Sequence, residues 1–319
     1  MTWTVEVETK PTRVGYGEGL VELGKRNPNV VVLGADITSS TNVNMFQQAY
    51  PDRFFSIGIA EQDMVGTAAG LALVGKVPFV STYGVFASGR CWDQIRTTVC
   101  YSDLNVKIGG AHGGISVGPD GATHQALEEV TIMRCLPGMT VVVPCDAIET
   151  KKATIAVGEK HGPAYIRFGR EAVPTITEES SPFTLGKAET FKDGSDVTII
   201  ACGVMVYEAL ETAKNMEKEG ISVRVINMHT IKPIDKEAIC KAARETGAIV
   251  TAEEHQIYGG LGGAVAEVLV TNCPVPVEMV AVKDRFGESG QPFELMEEFG
   301  LTHNEIYSGV KNVLARKQS

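Results

Sequence analysis

Short β-branched runs alternate with helix-length segments from one end of the chain to the other, the pattern of successive βα units that feed a parallel sheet. In the first part the predicted strands are NVVVLGA, FFSIGI, VPFVSTY, NVKIGGA, MTVVVP and PAYIRF. Helices are predicted between them near Arg13–Arg26, Gln62–Val74, Phe86–Tyr101, Gln125–Leu136 and Ala147–Lys160. The periodicity stops around Pro174–Asp196 in TITEESSPFTLGKAETFKDGSD, which reads as an interdomain linker. A second series follows: DVTIIAC, a helix near Met205–Glu219, SVRVIN, a helix near Lys236–Glu245, AIVTAEE, a Gly-rich turn, a helix near Ala264–Thr271, VPVEMVAV and a last helix near Asn304–Arg316. The expectation is an α/β chain of two doubly wound domains with mostly parallel sheets, at 1–178 and 195–319, joined by a linker at 179–194.

Composition narrows the partners more than the fold. The 319 residues are enough for two domains that each bury a core without disulfides or a structural metal. A net charge of −10, from 29 Lys+Arg against 39 Asp+Glu, and the lack of basic clusters speak against nucleic acid. No apolar run approaches the ~20 residues needed to span a bilayer, and MTWTVEVETKPTR has neither the basic head nor the apolar stretch of a secretory signal. The expected compartment is therefore the cytoplasm. Seven cysteines, odd in number and without a C-x-x-C pair, read as reduced and mostly buried thiols.

Two features carry candidate chemistry. In EEHQIYGGLGGAVAE a glycine-rich turn lies between a strand and a helix, where backbone N–H groups can cradle an anion. Its glycines spell neither G-x-G-x-x-G nor a G-x-x-x-x-G-K-[ST] loop, so close packing at a domain interface is the better reading than a dinucleotide site. The second feature is Glu61 in SIGIAEQDMVGTAAGLALVG, at the start of a helix that is apolar almost all round and carries Gly66, Ala68, Ala69 and Gly70. Such a helix is expected to be buried, at a subunit contact. Read alone, Glu61 is either a first-turn acid favoured by the helix dipole or a carboxyl group that exchanges a proton with a ligand.

GIAEQDMVGTAAGLAL, VPFVSTYGVFASGRCWDQIR, GPDGATHQALEEVTIMRCLPGMTVVVPCD and EEHQIYGGLGGAVAE together resemble the pyrimidine-binding and C-terminal domains of transketolases, over essentially the whole chain. The resemblance implies a thiamine diphosphate enzyme in which Glu61 hydrogen-bonds N1′ of the cofactor's aminopyrimidine and favours its 4′-imino tautomer. It places Tyr83 and Phe86 as aromatic walls on that ring, with Asp36 and Ile37 near the thiazolium. Gly89 departs from full-length transketolases, many of which carry tyrosine three residues after the second aromatic. In AHGGISVGPDGATHQ the resemblance gives Asp120 to the sugar C2 hydroxyl and His124 to the C1 hydroxyl or ketol oxygen. Arg13, Ser40, His112 and Arg170 are implied to recognise phosphate, with Arg167 a competitor for the role of Arg170. Without the resemblance, two histidines twelve residues apart and no third nitrogen or sulfur ligand suggest no metal site.

Related thiamine enzymes share this domain pair. The β subunit of 2-oxo acid dehydrogenases typically lacks D-G-x-T-H-Q. Deoxyxylulose-phosphate synthase has that loop, but usually carries aspartate where this chain has His112 and tends to carry an arginine in the aromatic segment near Gly89. Transketolase is the favoured relative. The chain has no G-D-G, the mark of the domain that binds Mg²⁺ and the diphosphate, and none of the N-terminal histidines of full transketolases. The implied protein is the C-terminal subunit of a split transketolase, two domains of a three-domain active site. It would work with an N-terminal, diphosphate-binding subunit in an α2β2 heterotetramer that transfers a two-carbon ketol between sugar phosphates of the pentose phosphate pathway. A non-catalytic assembly module is the alternative of a different class, and the retention of Glu61, His112, Asp120 and His124 argues against it.

Overall fold

The structure, a computed structural model, describes residues 7–317. The reading that no secretory signal is present falls partly on Met1–Glu6, outside the described residues. From the start run β1 (Thr9–Pro11), α1 (Thr12–Arg26), β2 (Val30–Gly34), α2 (Asn44–Ala49), β3 (Phe54–Ser56), α3 (Glu61–Leu73), β4 (Val77–Tyr83), α4 (Gly84–Ser88), β5 (Lys107–Ala111), α5 (Glu129–Arg134), β6 (Thr140–Val142), α6 (Ala147–Glu159) and β7 (Ala164–Phe168). The second half holds β8 (Ala172–Pro174), β9 (Glu189–Lys192), β10 (Val197–Ala201), α7 (Met205–Glu217), β11 (Val223–Asn227), β12 (Thr230–Lys232), α8 (Lys236–Thr246), β13 (Ile249–Gln256), α9 (Leu261–Asn272), β14 (Val277–Val282), α10 (Pro292–Glu298) and α11 (His303–Lys317).

The first sheet has the order β12-β6-β7-β5-β4-β2-β3 and the second β14-β13-β10-β11-β9. Pairing is parallel throughout except at one edge of each, where β12 runs antiparallel to β6 and β9 antiparallel to β11. β1 and β8 form a separate antiparallel pair. The α/β architecture with mostly parallel sheets is the one the sequence pattern implies. On one face of the first sheet α1 and α6 bury Tyr16, Leu20, Leu23 and Val157. On the other, Met64, Val65 and Ala68 of α3 pack in a cluster that continues through Ile200, Ile226, Leu261 and Val265 of the second half. The two halves thus share apolar core.

Several elements differ from the sequence reading. Phe86–Tyr101 is not one helix: α4 stops at Ser88, and a wider helix resumes at Gln94–Cys100, where Tyr101 N–H reaches back five residues to Arg96 O. Gly89 is the weakest helix former in that stretch and sits at the break. The Gln125–Leu136 helix begins only at Glu129, because Gln125 spends its side chain on the carbonyls of Ile115, Gly118 and Glu288. Within the stretch read as linker, β9 forms a sheet edge. β12 leaves the second half altogether and completes the first sheet, with Thr230 opposite Val142 and Lys232 opposite Val141. Three residues are too few to show a period, so β12 has no sequence signal of its own.

Asp146 ties the first half to the segment that follows it. As the N-cap of α6 it accepts from Glu149 N–H at 2.8 Å. The same carboxylate takes the N–H groups of Ile176 and Thr177 and the Thr177 hydroxyl.

Candidate active site

In open α/β sheets ligands bind beyond the carboxyl ends of the strands, where the strand order reverses. In the first sheet that reversal lies between β2 and β4, and the candidate residues follow strand ends: Asp36 and Ser40 after β2, Glu61 after β3, Phe86 after β4, His112 after β5 and Arg170 after β7, with Tyr83 the last residue of β4.

Glu61 opens α3 and is only 3% exposed. Burying a carboxylate is costly unless it is paired, and here Arg90 Nη1 donates to its Oε2 at 3.0 Å, with the Thr82 hydroxyl 3.5 Å from Oε1. Arg90 itself is 44% exposed, and its guanidinium lies 4.1 Å from the centre of the Phe86 ring. The sequence reading missed Arg90. The signal was present: an arginine directly after Gly89, close to the position it associated with the synthase. That criterion does not separate the two enzymes in this chain.

From Phe86 the contacts run on. Its ring is 6.0 Å from Tyr83 and 5.3 Å, edge-on, from His124. Tyr83 lies 4.2 Å from His112 and 5.9 Å from His124. His112 is buried with a left-handed backbone (φ 57°), and its Nδ1 has no partner among the described residues. Burial, helped by the charges of Arg13, Arg170 and His124, pulls its pKa down to about 3, so the imidazole is neutral. Arg13 Nη1 donates to the carbonyl of Ser40 at 3.1 Å, while its buried Nε has no partner among the described residues. Arg170 donates to Val117 O at 3.3 Å and pairs with Asp120 at 3.4 Å. His124 Nδ1 is 2.9 Å from the Thr123 hydroxyl.

Contacts therefore connect Glu61, Phe86, Tyr83, His112 and His124 by way of Arg90, while Arg13 and Arg170 act on His112 through their charges and Asp120 pairs with Arg170. Asp36 and Ile37 join them only through the loop they share with Ser40; Asp36 is exposed and left-handed (φ 59°). Arg167 is not a competitor for Arg170. It is buried, its Nε is 2.5 Å from Glu129 Oε1, and its Nη2 donates to Glu254 O at 2.6 Å.

The glycine-rich turn before α9 already holds an anion. Glu253 Oε2 accepts from Leu261 N–H at 2.7 Å and Oε1 from Gly262 N–H at 2.8 Å. A Cβ on Gly260 would stand 2.0 Å from that carboxylate, so glycine is what lets the turn close over it. The helix end that resembles a phosphate site is capped from within.

α3 is not buried all round. Its Gly66 and Gly70 have nothing within 4 Å of where a Cβ would stand, and Leu73 and Val74 at its end are 73% and 75% exposed. All seven cysteines are free; four are buried, and burial pushes the Cys91 thiol up to about 12. Among the described residues no group of three or more His, Cys, Asp and Glu could hold a metal ion, and no helix is long and apolar enough to cross a membrane.

Residues 8–175 match the family described as transketolase, pyrimidine binding domain, and residues 186–306 the one described as transketolase, C-terminal domain. The chain is 44% identical over 313 residues to the 6-deoxy-6-sulfo-D-fructose transketolase subunit of Clostridium sp. (strain MSTE9), covering 98% of this chain and 97% of that one. It is 37% identical over 309 residues to the transketolase of Homo sapiens, covering 96% of this chain but 49% of the human one. A solved structure described as a split gene transketolase, inactive beta4 tetramer, is similar with a TM-score of 0.91 and 50% identity, covering 96% of this chain and 99% of that one.

Proposed function

The chain belongs to the transketolase family, as a relative of the C-terminal subunits of split transketolases, and from that premise we propose that it transfers a two-carbon ketol from a ketose phosphate to an aldose phosphate together with a separate N-terminal subunit. Transketolase and thiamine diphosphate go together in this family, and the residues here fit that group. A nearly buried carboxylate is joined through Arg90 to an aromatic pair, His112 packs against Tyr83, and the buried His112 Nδ1 and Arg13 Nε have no partner among the described residues. When bound, the cofactor supplies the carbon nucleophile and the electron sink for breaking and making the ketol's C–C bond.

In this reading Glu61 holds a proton at N1′ of the aminopyrimidine, and Tyr83 and Phe86 pack on its ring. Asp120 and His124 orient the ketol hydroxyls, whose burial without partners would be costly. Neutral His112, with Arg13, Arg170 and Ser40, anchors the phosphate end, the guanidinium forks matching its oxygens. Mg²⁺ and the diphosphate would be held by the partner subunit. The open glycine face of α3 supports self-association inside an α2β2 assembly, and we place the protein in the cytoplasm, working on the sugar phosphates of the pentose phosphate pathway.

The observation that carries this reading is the unbroken line of contacts from Glu61 through Arg90, Phe86, His124 and Tyr83 to His112. The test is to purify the chain with and without a candidate N-terminal subunit and assay xylulose 5-phosphate with ribose 5-phosphate, thiamine diphosphate and Mg²⁺. Transfer only by the mixture is expected. Transfer by the isolated chain would refute the split site, and deoxyxylulose phosphate made from pyruvate and glyceraldehyde 3-phosphate would assign it to the synthase.

A further inference from the structure

We propose that Glu254, from the second domain, is a positioning residue for ketose binding, because its carboxylate fixes the Gly113–Gln125 loop that carries Asp120 and His124. This rests on the ketol-transfer reading and gives the second domain a task within it.

β13 ends beside β10, where the strand order of the second sheet reverses. That crevice is where a doubly wound domain normally takes a ligand. Here the first domain's loop fills it, leaving a cavity of only about 30 Å³ lined by Gly113, Ser116, Gly203, Val204 and Glu254 among others. The second domain thus uses its ligand position to hold a segment of its neighbour.

The hold is specific. Glu254 is 5% exposed, and its Oε1 accepts from Ser116 N–H at 2.7 Å in the first part of the loop. Its carboxylate also occupies the space beside Gly114, where a Cβ would stand 2.2 Å from Cδ, and Gly114 has φ 94°. Only glycine accepts both constraints. The Glu254 carbonyl is pinned in turn by Arg167, which the Glu129 carboxylate holds on its other side.

Further braces come from the same domain. Gln125 Nε2 bridges Ile115 O and Gly118 O within the loop to Glu288 O at 2.8 Å. Pro292, at the start of α10, lies 3.0 Å from where a Gly118 Cβ would stand. Asp120 and His124 lie in the loop between Ser116 and Gln125, so their positions follow from these anchors. The hydrogen bonds of Glu254 run to Ser116 and Arg167 and not to Glu61 or the aromatic pair, which assigns it to the sugar end and not to the cofactor end.

The experiment compares Glu254→Asp, Glu254→Gln and Glu254→Ala. Asp keeps the charge but retracts the oxygens by one methylene from Ser116, whereas Gln keeps the reach and one acceptor without the charge. Hydrogen–deuterium exchange on the isolated chain is expected to show the Ser116 amide exchanging at least tenfold faster in the Asp and Ala variants, with Gln close to wild type. In the reconstituted two-subunit enzyme the ketose KM should rise about tenfold for Asp and Ala, with kcat within about threefold and thiamine diphosphate affinity within about twofold. Gln should restore the KM. If Ala fails to fold, the Asp and Gln pair still decides the matter. Unchanged Ser116 exchange and ketose KM in Glu254→Asp would overturn the proposal, as would a parallel loss of ketose and cofactor binding. The two readings fail separately: a wild-type pair without ketol transfer sinks the functional reading, whereas an active pair indifferent to Glu254→Asp sinks only the positioning role.

Discussion

Arg90 Nη1 donates to Glu61 Oε2 at 3.0 Å while the same guanidinium covers the Phe86 ring at 4.1 Å, so the buried acid and the aromatic wall share one cation. Arg90 bonds to Glu61, and in the proposed function it is Glu61 that would hold a proton at the cofactor. Glu61→Gln is therefore expected to cut ketol transfer by about 10³-fold or more, within the range of a lost general acid–base group. Arg90→Ala should cost only about tenfold. Steady-state assays of the reconstituted enzyme distinguish these, and equal losses would mean that Arg90 takes part directly.

In the proposed function Tyr83 and Phe86 would hold the flat aminopyrimidine by face and edge contacts, worth about 0.5–1.5 kcal/mol per aromatic pair. Replacing either by Leu keeps the apolar volume and removes the π-surface. Thiamine diphosphate affinity, read by fluorescence titration of the two-subunit complex, should fall by roughly three- to tenfold for each variant. The ketose KM should move less.

The pKa of His112 is depressed from its ordinary 6.5 to about 3, first by burial and then by Arg13, Arg170 and His124. The unfolded chain takes up a proton that the folded one refuses. The stability this residue confers is thus complete above pH 6.5 and is lost progressively as pH falls toward 3. Urea melts at pH 7 and pH 4.5 should show His112→Asn losing about 2 kcal/mol less than wild type between the two conditions. Asn tolerates the left-handed backbone that this position requires.

Glu149 titrates in the opposite sense. It is buried between the two domains, accepting from Cys145 N–H at 2.7 Å and from Asn227 Nδ2 at 2.7 Å. Burial, only partly offset by these bonds, raises its pKa to about 7 from 4.5. Its contribution is whole below pH 4.5 and is lost as pH rises through 7. Between pH 5 and pH 8 the wild type should lose on the order of 2 kcal/mol that Glu149→Gln retains. A Gln variant with the same pH slope as wild type would place the titration elsewhere.

The long elements were legible because their signals are local. VVVLG of β2 and VTIIA of β10 are apolar runs of strand length, and α6 follows its N-cap Asp146. What stayed hidden depends on distant partners. β12 is a strand only because β6 offers an edge 88 residues earlier, as the pair Thr230 and Val142 shows. The helix after Gln125 starts late because the Gln125 side chain is committed to a carbonyl 163 residues away.

The candidate site divides along the same line. Glu61 and the Asp120/His124 loop stood out as motifs in the sequence. Arg90 had a signal beside Gly89 but its contact with Glu61 needed the structure, and Glu254, a glutamate in a strand, became informative only once the atoms it touches were known. The glycine-rich turn shows the converse, because no spacing rule reveals that Glu253 already fills its N–H groups.

β12 makes the linker a poor place to cut. A fragment ending near residue 185 would leave the β6 edge open, three otherwise buried residues of unpaired backbone inviting another chain. It would also lack Ile200, Ile226 and Leu261 and so expose Met64, Val65 and Ala68, which share a core cluster with them. The two domains should therefore unfold in a single cooperative transition, with hydrogen exchange in β6 slowing only once residues 230–232 have been made. The first domain cannot complete its own sheet during synthesis; it must wait for the second.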